Sequence, residues 1–114
     1  VPYLSIQTNQ RLSSEQSREL LQKASSVVSQ LLGKPERYVM VAIQDASHMI
    51  FAGTSKPVAF LQLKSLGLPE NSTADFSRSL CNFVSKELGV APERIYIEFA
   101  GPEGHMWGWN NETF

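Results

Sequence analysis

Pro2 has the least ordinary chemistry of any residue in the chain. It opens a strand-like stretch, where its missing N–H is tolerated but where nothing structural requires a proline. As a first residue, proline carries a secondary amine. In an apolar pocket beside a cation the charged form of that amine is disfavoured, so it is neutral near pH 7 and can act as a general base. Lys34 is the second candidate. It follows a helical stretch, where a lysine interacts with the helix dipole; facing a pocket, it would anchor a carboxylate. Spacing alone leaves both readings open. Trp107, Trp109 and Phe114 form an aromatic tail that serves either the core or the wall of a pocket or interface.

Other chemistries find no footing. No catalytic triad pattern is present, and His48 and His105 lie in or near loops without a partner at metal-ligand spacing. The glycines form no phosphate loop. A single cysteine, Cys81, excludes an intrachain disulfide and reads as a small buried apolar residue of a helix. Ten basic and eleven acidic residues give a formal charge of −1, with no Lys/Arg block, so neither nucleic acid nor an anionic membrane is an expected partner. No apolar run approaches the roughly 18 residues that span a bilayer. Val1-Pro2-Tyr3-Leu4 lacks the regions of a signal peptide, which points to a cytoplasmic protein.

At 114 residues the chain is expected to be one domain, residues 1–114. Tyr3 to Thr8 alternates as a strand does. Ser13-Ser14-Glu15-Gln16 fits a capping box, and Leu20, Leu21, Ala24, Val27, Val28, Leu31 and Leu32 follow helical spacing up to Gly33. Tyr38 to Ile43 is apolar enough for a strand covered on both faces. His48 to Phe51 reads as a short extended piece, and Val58 to Leu66 as a third long strand. Ser72 or Thr73 can cap a second helix with Phe76, Leu80, Phe83, Val84 and Leu88 on its apolar face, ended by Gly89. Ile95 to Phe99 is a fourth strand; Met106 to Trp109 is extended and Asn110-Asn111 can turn.

The joints repeat. Leu32-Gly33-Lys34-Pro35-Glu36-Arg37 and Leu88-Gly89-Val90-Ala91-Pro92-Glu93-Arg94 each end a helix and launch a strand, which marks duplicated halves of about residues 1–55 and 56–114. The expected fold is α/β (α+β): two βαβ units in a four-stranded mixed sheet, with two helices on one face. If the second and third strands are apolar on both sides, the other face needs cover, and a homo-oligomer with inward-facing sheets supplies it.

The whole chain resembles the macrophage migration inhibitory factor family of the tautomerase superfamily. The resemblance rests on Pro2 with Thr8-Asn9, on Gly33-Lys34-Pro35 with Tyr38, and on Phe51-Ala52-Gly53-Thr54-Ser55. It continues through Lys64-Ser65-Leu66-Gly67, Pro92-Glu93-Arg94-Ile95-Tyr96-Ile97 and, most specifically, Gly108-Trp109-Asn110-Asn111-Glu112-Thr113-Phe114. It implies a homotrimer with active sites at subunit interfaces, and cofactor-independent keto–enol tautomerisation of phenylpyruvate- or dopachrome-type substrates. Pro2 would be the general base. Lys34 would hold the substrate carboxylate with the backbone N–H of Leu66, beside Ser65. Tyr96 of a neighbouring subunit would contact the substrate's polar groups, and Tyr38, Trp107, Trp109 and Phe114 would form the wall. The resemblance also carries a second function, a cytokine-like protein that binds a cell-surface receptor and is exported without a signal peptide.

This chain departs from the family's pattern in three places. Val1 precedes Pro2; while it is retained, the Pro2 nitrogen is an amide without basicity. Glu98 stands where the best-known member has Asn, putting a carboxylate near an anionic substrate. Val58 and Leu61 replace a Cys-x-x-Cys, so thiol-redox activity is not expected.

Overall fold

A computed structural model describes all of residues 1–114. The alternating stretch after Pro2 is β1 (Tyr3–Thr8), with Leu4, Ile6 and Thr8 buried. Helix α1 (Ser14–Leu32) begins at a reciprocal cap: Gln16 N–H donates to Ser13 Oγ at 3.1 Å, and Ser13 N–H donates to Gln16 Oε1 at 2.9 Å. Two donors that a helix start leaves orphaned are thereby satisfied. Leu20, Ala24 and Val28 form the buried stripe, and Gly33 stops the helix at φ 63°, a left-handed conformation that suits glycine.

A 3₁₀ turn, Glu36–Tyr38, then leads into β2 (Met40–Gln44). Tyr38 thus belongs to the turn and not to the strand, as the apolar run had suggested: its N–H donates to the Pro35 carbonyl at 3.1 Å. The scheme repeats as β3 (Ala59–Lys64), α2 (Thr73–Leu88) and β4 (Ile95–Ala100). Ser72 makes no cap bond. The 3₁₀ turn Glu70–Ser72 runs directly into α2, and the Thr73 hydroxyl donates back to the Glu70 carbonyl at 3.3 Å. Of the expected extended piece at His48–Phe51, only an isolated bridge between Phe51 and Thr54 forms.

The sheet order is β2-β1-β3-β4. The outer pairs β1/β2 and β3/β4 are parallel, each joined through a helix, and β1 meets β3 antiparallel at the centre. One face packs against both helices: Leu4, Ile6, Leu61 and Leu63 join Ala24, Val28, Phe76, Leu80 and Val84 in a core of 13 buried residues. Strand register sets three rows on the other face: Met40–Tyr3–Lys64–Ala100, Ala42–Ser5–Gln62–Glu98 and Gln44–Gln7–Phe60–Tyr96. That face is not apolar throughout, as expected from the second and third strands. Six polar side chains, Ser5, Gln7, Gln44, Gln62, Lys64 and Glu98, share it with apolar residues gathered toward its two ends. No helix is long and apolar enough to cross a membrane.

Two devices fasten the loop before β3. Asn9 Nδ2 donates to the carbonyls of Ser55 and Lys56 at 3.0 and 3.1 Å, and Thr8 Oγ1 donates to that of Val58 at 2.8 Å. From the other side, the Arg94 guanidinium donates to four carbonyls, those of Phe51, Thr54, Lys56 and Pro57, at 2.8–3.2 Å. The joints themselves are offset. When the helix stops Gly33 and Gly89 are aligned, the turns Glu36–Tyr38 and Pro92–Arg94 coincide, so Tyr38 falls opposite Arg94 and Arg37 opposite Glu93.

Candidate active site

Pro2 is almost fully buried at the head of β1, and its carbonyl accepts from Met40 N–H at 2.9 Å, which extends the β1/β2 ladder by one step. It lies in the lining of a cleft of about 700 Å³. Val1, Tyr3, Val39 and Met40 line it with the segment Lys34, Pro35, Arg37 and Tyr38 and the tail residues Trp107, Gly108, Trp109 and Phe114. Of the residues expected from the sequence, the structure therefore brings together Pro2, Lys34, Tyr38, Trp107, Trp109 and Phe114.

Lys34 owes its place to the helix stop. Gly33 turns the chain, Lys34 N–H donates to Ser29 O at 3.1 Å, and Ser29 Oγ donates to Lys34 O at 2.6 Å. The side chain then crosses to the end of β3, where Nζ donates to the Leu66 carbonyl at 2.9 Å. An ammonium has three donors, so this bond aims Lys34 and leaves two for a ligand. Ser65 is fully buried; its N–H donates to Ala100 O at 3.1 Å and its hydroxyl to the same Leu66 carbonyl at 3.3 Å. Ser65 and Leu66 thus support Lys34 from behind and do not line the cleft.

The aromatic wall is built by the tail. After a 3₁₀ turn, Gly104–Met106, strands β5 (Gly108–Trp109) and β6 (Glu112–Thr113) form a hairpin. Asn110 and Asn111, at φ 53° and 68°, make its two-residue turn; asparagine is among the residues that accept this conformation. Phe114 N–H donates to the carbonyls of Gly104 and Trp107 at 3.1 and 3.2 Å, and its ring stacks on Trp109 with centroids 5.9 Å apart. Gly104 is needed for this closure, since a Cβ there would sit 2.6 Å from the Phe114 carbonyl oxygen. Trp109 remains 62% and Phe114 50% exposed, so the tail serves a surface and not the core.

The cleft is electropositive. Lys34 and Arg37 line it and no Asp or Glu side chain does. The α-amine of Val1 is held below the ordinary value for such a group, chiefly by burial and secondarily by the Lys34 charge. Arg37, like Tyr3 and Met40, was not expected from the sequence, because the repeated Pro-Glu-Arg phrase read as a structural joint. The sign available was that the residues around Arg94 and Arg37 differ, with a lysine in one copy only.

Tyr96 and Glu98 lie elsewhere on this chain. Tyr96 is 64% exposed on the outer strand, edge-on to Phe51 at 4.8 Å. Its row is four residues along β1 from that of Tyr3, about 13 Å at strand rise. Glu98 accepts from Gln62 Nε2 at 2.8 Å in the middle of the uncovered face.

Two parallel βαβ units joined antiparallel, with a buried proline beside a lysine at the sheet's end, make this a tautomerase-superfamily fold. The sequence model of the family described as "Macrophage migration inhibitory factor (MIF)" matches residues 1–114. The chain belongs to this family, whose members include tautomerase and cytokine-like roles. It is 36% identical over 115 residues to the macrophage migration inhibitory factor homolog of Trichinella spiralis, covering 100% of both chains. It is 37% identical over 118 residues to the Brugia malayi homolog, covering 100% of this chain and 99% of the other. The crystal structure of the homologue from Prochlorococcus marinus superposes with a TM-score of 0.92 at 36% identity, over 98% of each chain.

Proposed function

We propose that this protein is a cofactor-independent keto–enol tautomerase of phenylpyruvate-type α-keto acids, with Pro2 as general base. The observation that carries the reading is the placement of Pro2: almost fully buried in the lining of a cleft that also holds two cations and an aromatic cluster. In a chain that begins at Pro2, its amine would stand one residue further along the cleft lining than that of Val1. Burial and the Lys34 charge both favour its neutral form. Lys34 holds the substrate carboxylate, and the aromatic wall takes the ring. The neutral amine takes the proton from the carbon beside the carbonyl and, now an ammonium, returns it to the carbonyl oxygen, giving the enol; the reverse sequence returns the keto form. A proton moves and no electrons are exchanged.

The working unit in this reading is a homotrimer. In its support, the wall is half open on a single chain and the sheet has an uncovered face. Tyr96 and Glu98 lie away from this chain's own cleft, and in a trimer they would serve a neighbour's. The test is phenylpyruvate enol–keto absorbance, with protein starting at Pro2 and with Pro2→Gly. Loss of roughly a hundredfold or more in kcat/KM on substitution is expected of a general base; an unchanged rate refutes it.

A second reading, binding of a cell-surface receptor, is favoured by relatives such as the rat protein named macrophage migration inhibitory factor, 33% identical over 95 residues. Saturable binding to cells that survives Pro2→Gly would support it, and absence of such binding would exclude it.

A further inference from the structure

We infer that Arg37 is a second anion-recognition residue of the cleft, which fits the site to aromatic α-keto acids bearing a further anionic group on the ring. The inference deepens the tautomerase reading and rests on it for the substrate class. Arg37 and Lys34 are both cationic, and both line the cleft. Each of the three ion pairs in the chain, Lys23–Glu87, Arg78–Asp75 and His105–Glu103, lies elsewhere. A single carboxylate needs only one anchor, and Lys34 supplies it beside Pro2.

Arg37 is also held for recognition and not for structure. The repeated phrase offers an internal control, because Arg94 spends its guanidinium on four backbone carbonyls. The one-residue offset between the joints places Tyr38, and not Arg37, in the position of that clasp. Arg37 instead lies over the Tyr38 ring, 4.7 Å from its centroid, and makes no hydrogen bond to the chain. Stacking fixes the plane of a guanidinium and leaves its N–H edge free, the arrangement that suits bidentate capture of a carboxylate or phosphate. Tyr38 also lines the cleft, so a ligand ring among the aromatic residues would have Lys34 for its keto-acid end and Arg37 for an anion beyond it.

Binding can be tested apart from catalysis with saturated acids that cannot tautomerise. The probes are 3-phenylpropionate and 3-(4-carboxyphenyl)propionate, read by the fluorescence of Trp107 and Trp109. The diacid is expected to bind about three- to tenfold tighter, the range of an exposed but charge-assisted contact. Arg37→Leu removes that preference and weakens the diacid more than the monoacid, which keeps its Lys34 anchor; Arg37→Lys, which keeps the charge, retains part of the preference. Equal affinities in the unaltered protein, no binding of either acid, or an equal loss for both acids in Arg37→Leu would overturn the inference. Equal loss is what a purely structural role would give, and equal affinities in the unaltered protein are what capture of Arg37 by a neighbour's Glu98 would give. Intact diacid preference in a protein that does not tautomerise phenylpyruvate would leave this inference standing and refute the catalytic reading alone.

Discussion

Lys34 Nζ and the Leu66 carbonyl oxygen are 2.9 Å apart, a bond that ties the residue after the first helix to the end of β3. Sequence resemblance implied that Lys34 and the Leu66 N–H meet a substrate carboxylate; the bond instead engages the Leu66 carbonyl, which aims Lys34 from outside the cleft lining. Lys34→Ala removes the proposed carboxylate anchor and leaves the Leu66 carbonyl without that donor. KM for phenylpyruvate should rise about tenfold or more, with kcat reduced less, as for the loss of a charge-assisted hydrogen bond. Steady-state kinetics check this, and an unchanged KM would remove the assigned role.

Arg94 and Arg37 should respond oppositely to truncation. Arg94→Ala abandons four carbonyl contacts around residues 51–57 and is expected to cost about 2–3 kcal/mol in urea unfolding. Arg37→Ala should stay within about 0.5 kcal/mol, as for an exposed side chain. Comparable losses at both positions would contradict the asymmetry.

Gly104→Ala should detach the tail without unfolding the core. The new methyl would collide with the Phe114 carbonyl oxygen, while the core cluster lies on the helix face of the sheet. Tryptophan emission should shift to the red and KM for aromatic acids should rise, with far-UV circular dichroism unchanged. An unaltered KM would show that the Phe114 closure does not shape the cleft.

The cleft lowers the pKa of an amine, and the sign of the consequence is definite. With Val1 present, the unfolded chain binds more protons at this group than the folded chain between the lowered folded value and the ordinary one. Stability therefore rises with pH through that window, and the contribution is absent below it. NMR titration of the Val1 amine should give a midpoint below that of an unfolded control. Lys34→Met should move it only part of the way back, because burial is the larger cause. A full return would make the Lys34 charge the dominant influence.

Much of the scaffold is legible in the residues. The Ser13–Gln16 cap, the glycine stops at Gly33 and Gly89, and the alternation of β1 all act locally, so pattern suffices to find them. Tyr38 was misplaced because an apolar run does not reveal where a turn bond to Pro35 ends and a ladder bond begins. The uncovered face was expected to be more apolar than it is, because register, not strand composition, brings Gln44, Gln62 and Glu98 onto one surface. Pro2, Lys34 and the aromatic tail could be nominated by type, yet their convergence depends on the antiparallel β1/β3 junction and the tail hairpin. Arg37 stayed hidden for the same kind of reason: a phrase repeated in sequence is shifted by one residue in space.

Whether Pro2 is the base is decided most directly by comparing phenylpyruvate tautomerisation by protein beginning at Pro2 with that by protein retaining Val1, start residues verified by intact mass. Protein beginning at Pro2 should be active, with a rate that climbs as pH rises and its amine is deprotonated. The Val1 form, whose Pro2 nitrogen is an amide, should retain about a hundredth of that rate or less. Equal rates in the two forms would contradict the account.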